Sequence, residues 1–117
     1  MKVITVTIPG KAVIVGSRIG LADTSLSRLF GLLGKRGLER GSGILIRPSS
    51  SVHTFGMTFP IDVVALDRDL RVLNLWRRLR PFRITRISLK THSVLELAAG
   101  QIDQCGIQQG DQLAIEA

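Results

Sequence analysis

Short runs of β-branched and aliphatic residues, each closed within a few positions by glycine, proline or aspartate, constrain this fold more than any other feature. Such runs are too brief for ordinary helices, and they alternate with the period of a half-buried strand. Lys2 to Ile8 (KVITVTI) is the first, Pro9-Gly10-Lys11 turns the chain, and Ala12 to Val15 completes an N-terminal hairpin. Gly43 to Arg47, Ile61 to Leu66, Arg71 to Trp76, Ile84 to Leu89, Ser93 to Leu97 and Gln112 to Ile115 follow as further strands. Asp67 to Leu70 supplies a tight turn between two of them. One segment breaks the pattern: Asp23-Thr24 offers an N-cap for a helix through Leu33, with Leu26, Leu29, Phe30 and Leu33 on one face. Gln101 to Cys105, stopped by Gly106, suits a single short helical turn. The expected architecture is mainly β, a small closed barrel or sandwich of about seven to eight short strands. One helix lies near its N-terminus and one helical turn near its C-terminus. No repeat or linker divides the chain, so residues 1–117 are expected to form a single domain.

Apolar residues make up 44% of the chain, which excludes a disordered polymer. Aromatics are only 4% and tyrosine is absent, which argues against a surface of stacked rings. No apolar run approaches the roughly 20 residues that span a bilayer. The N-terminal MKVITVTIPGKAVIV is interrupted by Pro9-Gly10-Lys11, unlike a signal peptide, so a cytoplasmic location is expected. The single cysteine, Cys105, fits a reducing compartment and reads as a small buried hydrophobe.

The formal charge of +7 is uneven. No acidic residue lies between Leu70 and Leu95, where Arg71, Arg77, Arg78, Arg80, Arg83, Arg86 and Lys90 all occur. Pro81 forbids a continuous helix there, and the spacing suits neither a helix nor a strand face for long. The run reads as an irregular basic arm, with Trp76 and Phe82 as its rings. Arg77, Arg78, Arg80, Arg83 and Arg86 are candidates for gripping a polyanion or nucleic acid.

The segment His53 to Asp67, HTFGMTFPIDVVALD, sets an imidazole and a carboxylate at the two ends of an apolar run. Alternation places His53, Phe55, Met57 and Phe59 on one side, and Asp62 in register with Val64 and Leu66. His53, Thr54, Met57 and Asp62 are the candidate ligand contacts, around a surface loop from Ser49 to Met57. Asp62 and Asp111 also suit a structural role, accepting backbone hydrogen bonds that hold turns. His53, His92, Asp62 and Glu96 would form a metal site only if their strands converge, and their spacing matches no compact zinc motif. Ser49, Ser50 or Ser51 with His53 and Asp62 lacks the strained turn of a nucleophile elbow. Gly34-Lys35-Arg36-Gly37 resembles a KH loop without the helix that must follow it. No P-loop or dinucleotide glycine pattern follows a strand, and neither cofactor nor metal is assigned.

Three blocks, ADTSLSRLFGLLGKRGLERGSGILIRP, VHTFGMTFPIDVVALD and SVLELAAGQIDQCGIQQGDQL, resemble the uncharacterised bacterial and archaeal family known as domain of unknown function 192. The resemblance runs from about Ala22 to Leu113. It implies a compact, mostly β domain and no established activity. His53, Thr54, Met57, Pro60, Ile61 and Asp62 match its central signature, and Glu96, Leu97, Gly100, Gly110 and Asp111 its C-terminal one. Relatives often carry a cysteine where this chain has Ser49, and often an export signal. The arginine run lies between the signature blocks. The leading expectation is a noncatalytic binding or accessory module. The alternatives are polyanion binding through residues 71–90, or an enzyme or metal site built on His53 and Asp62.

Overall fold

The computed structural model describes residues 2–23, 37–49, 51–53, 59–80, 84–86 and 89–116, those of 51–53 and 84–86 by their backbone alone. Within them, β1 (Lys2–Ile8), β2 (Val13–Ala22), β3 (Ser42–Ile46), β5 (Ile61–Leu66), β6 (Val72–Leu79), β8 (Ser93–Ala98) and β9 (Ala114–Glu116) form one seven-stranded sheet. Its order is β6-β5-β8-β3-β2-β1-β9, antiparallel except where β2 and β3 run parallel. A separate ribbon pairs β4 (Ser51–His53) with β7 (Ile84–Arg86). The helix α1 spans Gln101–Cys105, stopped by the left-handed Gly106. Pro9–Lys11 forms a 3₁₀ turn where the sequence predicts one. The helix expected from Asp23 to Leu33 lies outside the described residues.

Alternation sorts the sheet into two apolar faces. Ile4, Val6, Ile19, Leu21, Leu45, Val64, Leu66, Leu95 and Leu97 form one buried cluster with Ile102 of α1 and with Ile107 and Leu113. Because strands from both ends of the sheet reach this cluster, the sheet curls around it. On the opposite face Ala22, Ile44, Ile61, Val63, Ala65 and Val94 make a second cluster, edged by Leu38, Ile46, Phe59, Trp76 and Leu79. The radius of gyration, 12.6 Å, is that of a compact chain, for which about 13 Å is usual at this length.

The expected closed barrel is not what forms. The edge strands β6 and β9 meet through a single bridge, Arg71 to Gln112, and a few backbone bonds between residues 70–72 and 110–113. The chain facing β6 there turns at Gly110 (φ 91°), so no continuous ladder closes the gap. β2 runs seven residues past the expected Val15, through Gly16 and Gly20, which the strand pattern treats as breakers. A Cβ at Gly16 would overlap the Gly41 carbonyl and Ile19, so glycine is what lets the chain pass there. The basic arm is also more regular than expected, since Arg77 and Arg78 belong to β6. Among the described residues, no helix is long and apolar enough to cross a membrane.

Candidate functional site

Asp62 sits on β5 with no exposed surface. Its Oδ1 accepts the Arg78 N–H at 2.9 Å, and its Oδ2 accepts the N–H groups of Gly100 at 3.1 Å and Ile102 at 2.9 Å. The first bond explains the local backbone: Ile61 faces Leu79 and Val63 faces Trp76, so two residues of β6 oppose the one residue Asp62. Such a bulge leaves an unpaired donor, and Arg78, at φ 53°, supplies it to the carboxylate. The other two bonds satisfy free N–H groups at the start of α1. Arg77 adds a tie across the same junction, its Nε donating to Asp103 at 2.8 Å. Asp62 thus joins a sheet edge to a helix, and both of its oxygens are engaged by backbone.

Glu96 lies one row along β8, but on the other face. Across β5 and β8, Asp62 faces Leu97 while Glu96 faces Val63. On the far side Glu96 faces Ile44. The row continues outward to Trp76 beyond Val63 and to Gly20 beyond Ile44. Glu96 is 5% exposed among hydrocarbon neighbours. No hydrogen bond or ion pair to its carboxyl occurs among the described residues, and burial pushes its pKa from 4.5 to about 7. The strands neighbour one another as a convergent metal site would need, yet pleating sends the two acids apart. No group of three or more His, Cys, Asp and Glu side chains among the described residues could hold a metal ion.

The ribbon β4–β7 brings together what the sequence holds apart. Ser51 faces Arg86, Val52 faces Thr85 and His53 faces Ile84, so the histidine segment and the end of the arginine run share one element. Thr54, Met57 and Arg83 lie outside the described residues. Beside the ribbon's start, Pro48, Ser49, Thr91 and His92 line an open cleft of about 200 Å³. The Ser49 N–H donates to the His92 carbonyl at 2.8 Å, and the His92 N–H donates to that of Leu66 at 2.9 Å, fixing the cleft walls to the sheet. Of the other candidate cations, Arg77 is paired with Asp103, and Arg78 and Arg80 stand on and just beyond β6. The sequence weighs Glu96 only as a partner for histidine. The stronger signal is the strand itself, SVLELA, where one acid interrupts an otherwise apolar run buried on both faces.

Among solved structures, a protein of unknown function from Novosphingobium aromaticivorans DSM 12444 superposes with a TM-score of 0.80 at 25% identity, over 95% of this chain and 82% of that one. A second, from Sinorhizobium meliloti 1021 and described as a "putative transcription regulator", superposes with a TM-score of 0.77 at 20% identity, over 96% of this chain and 91% of that one. That second likeness bears on the fold alone. A comparison with curated proteins found no match. A family model described as "Uncharacterized ACR" matches residues 4–115, and by that match the chain belongs to the DUF192 family.

Proposed function

We propose that this chain is a noncatalytic binding module for an anionic ligand, with its surface on the loop Ser49 to Met57 and the ribbon β4–β7. The observation that carries the reading is the pairing of β4 with β7, which sets the His53 strand against the strand ending in Arg86. An excess charge of +7 favours anions over such a surface. His53, Thr54 and Met57 are then the short-range contacts, and Arg83 and Arg86 the charge. Asp62 works beneath this surface as a brace: a carboxylate saturated by three backbone N–H groups is poorly placed to act as a base. That supports the noncatalytic reading.

Retention on heparin across a salt gradient tests the proposal. The double substitution Arg83→Ala, Arg86→Ala should weaken retention and lower the salt slope by roughly one to two, since each lost phosphate contact removes about 0.9. Replacing Lys2 and Arg40 instead should change little. His53→Ala should weaken binding while leaving the melting temperature in place. Retention that ignores Arg83 and Arg86 but falls with Lys2 and Arg40 would overturn the placement.

A further inference from the structure

We propose that the cleft between Pro48-Ser49 and Thr91-His92 is a subsite for a phosphate dianion, free or at the end of a monoester, with the Thr91 hydroxyl as its deepest contact. This rests on the reading of the neighbouring surface as an anion site, and deepens it by naming the group that is held.

Among the described residues, Pro48, Ser49, Thr91 and His92 line the cleft of about 200 Å³. Exposure falls from Pro48 through half-buried Ser49 and His92 to Thr91, at 7%, so Thr91 stands deepest in the lining. Backbone bonds hold both walls. The Arg47 N–H, just before Pro48, donates to the Ala22 carbonyl at 3.0 Å, while Ser49 is tied to His92 and His92 to Leu66. A ligand there meets walls already in place and loses little to ordering them.

Thr91 is the residue that the fold leaves unexplained. Its Oγ1 is buried and has no hydrogen-bond partner. An unmatched buried hydroxyl costs free energy that a valine of the same shape would not incur. Ser93 also buries an unpartnered hydroxyl, but it lies within β8 opposite Leu66 and outside the cleft lining. Of the two, Thr91 is the one that borders open space from which an acceptor can approach.

The lining residues choose among ligands. Two hydroxyls and an imidazole can all donate hydrogen bonds, and hydrocarbon comes from Pro48 alone. No carboxylate is among the described lining residues to pair with an ammonium ion, and no metal-binding group of His, Cys, Asp and Glu occurs among the described residues. Asp67, next to the Leu66 that anchors His92, spends its Oδ1 on the N–H groups of Asp69 and Arg71. Arg47 and Lys90 each adjoin a lining residue in sequence and, though engaged themselves, add positive field. A tetrahedral dianion suits several donors around one centre, and the open side leaves room for an ester's organic part.

Amide NMR of the full chain at about pH 7.5 and fixed ionic strength, following Ser49, Thr91 and His92 through a titration with glycerol 3-phosphate, tests the proposal. The signals should move saturably, with half-saturation below about 10 mM, and glycerol should move none of them. Thr91→Val should keep the parent's melting temperature, because the hydroxyl makes no bond in the fold. It should weaken binding about tenfold, the worth of one hydrogen bond to a charged group. Thr91→Ser, which keeps the hydroxyl, and Ser93→Ala, outside the lining, should bind as the parent does. Inorganic phosphate run in parallel separates the sources: equal affinity assigns the cleft to the free ion, and tighter binding of glycerol 3-phosphate assigns it to an ester. Absence of saturable shifts overturns the proposal, as does a Thr91→Val variant that binds as well as the parent, or a loss at Ser93→Ala as large as at Thr91→Val. Heparin retention follows Arg83 and Arg86 and should be unchanged in Thr91→Val, so the two readings fail separately.

Discussion

Glu96 makes the stability of this protein depend on pH in a direction opposite to that of most carboxylates. Its folded pKa of about 7 lies above the ordinary 4.5, so the folded state holds the proton more tightly than the unfolded chain does. Stability from this group is therefore complete below pH 4.5 and is lost as pH rises through 7. At about 1.4 kcal/mol per pKa unit, the total loss is about 3 kcal/mol, most of it between pH 5 and 7. Asp111 runs the other way and outside this window. Burial pushes its pKa up, but the hydrogen bonds from Lys11 and the Gln108 N–H, with the Lys11 charge, outweigh that and hold it below 3.8. Its contribution is present above 3.8 and is lost only in stronger acid. Urea denaturation at fixed ionic strength, followed by far-ultraviolet circular dichroism, measures the effect on the parent and on Glu96→Gln. Trp76 fluorescence is the wrong probe, because the lone tryptophan shares a face with Glu96 and would sense its ionisation directly. The two proteins should agree to within about 1 kcal/mol at pH 5, and the variant should be more stable by about 3 kcal/mol at pH 8. A difference that stays flat from pH 5 to pH 8 would refute the reasoning.

Asp62→Asn should cost about 3 kcal/mol in urea denaturation, because an amide cannot accept from three N–H groups and sets its own donors against them. Hydrogen exchange at Arg78, Gly100 and Ile102 should quicken in the same variant. Gly43→Ala should destabilise by about 1–3 kcal/mol, since its Cβ would overlap the Glu96 carbonyl and press on Leu97. Gly10→Ala, with open space around it, should stay within about 0.5 kcal/mol of the parent. Lys11→Ala removes bonds to the Gly106 carbonyl and to Asp111, each at 2.8 Å, and should cost about 1 kcal/mol at pH 7. That cost should shrink in acid well below pH 3.8, as Asp111 loses its charge.

Strand positions were largely legible from local pattern. β1, β3, β5, β8 and the turn at Asp67 fall where alternation and turn residues put them, because each strand buries a face and is bounded by a residue of fixed backbone preference. The failures came where pairing partners overrode local signals. Gly16 and Gly20 look like breakers until β1 and β3 flank them, and β2 then continues to Ala22. Arg77 and Arg78 look irregular because a bulge displaces the register by one residue, and the acid that stabilises the bulge is 16 residues away in sequence. Likewise no local pattern reveals that β4 finds β7, or that the sheet stops short of closure at Gln112. Parity did foretell that Asp62 shares a face with Val64 and Leu66. It could not foretell which residue of β8 lies opposite, and that register alone separates Asp62 from Glu96.

The two acids together show how one sheet can hold the same group in two different settings. Asp62 and Glu96 stand in adjacent rows of neighbouring strands, are both buried, and carry the same functional group. What differs is the supply of donors. On the face of Asp62 a bulge and a helix start both leave backbone N–H groups free, so the carboxylate is the cheapest way to satisfy three donors at once. On the face of Glu96 the flanking strands have spent their backbone groups on ladder pairing, and the residues paired with it, Ile44 and Val63, are hydrocarbon. Replacing a carboxyl by an amide should therefore destabilise the protein at the first position and stabilise it above pH 7 at the second. Opposite signs from one substitution chemistry, a single residue row apart, distinguish an acid that serves the fold from one that the fold merely tolerates.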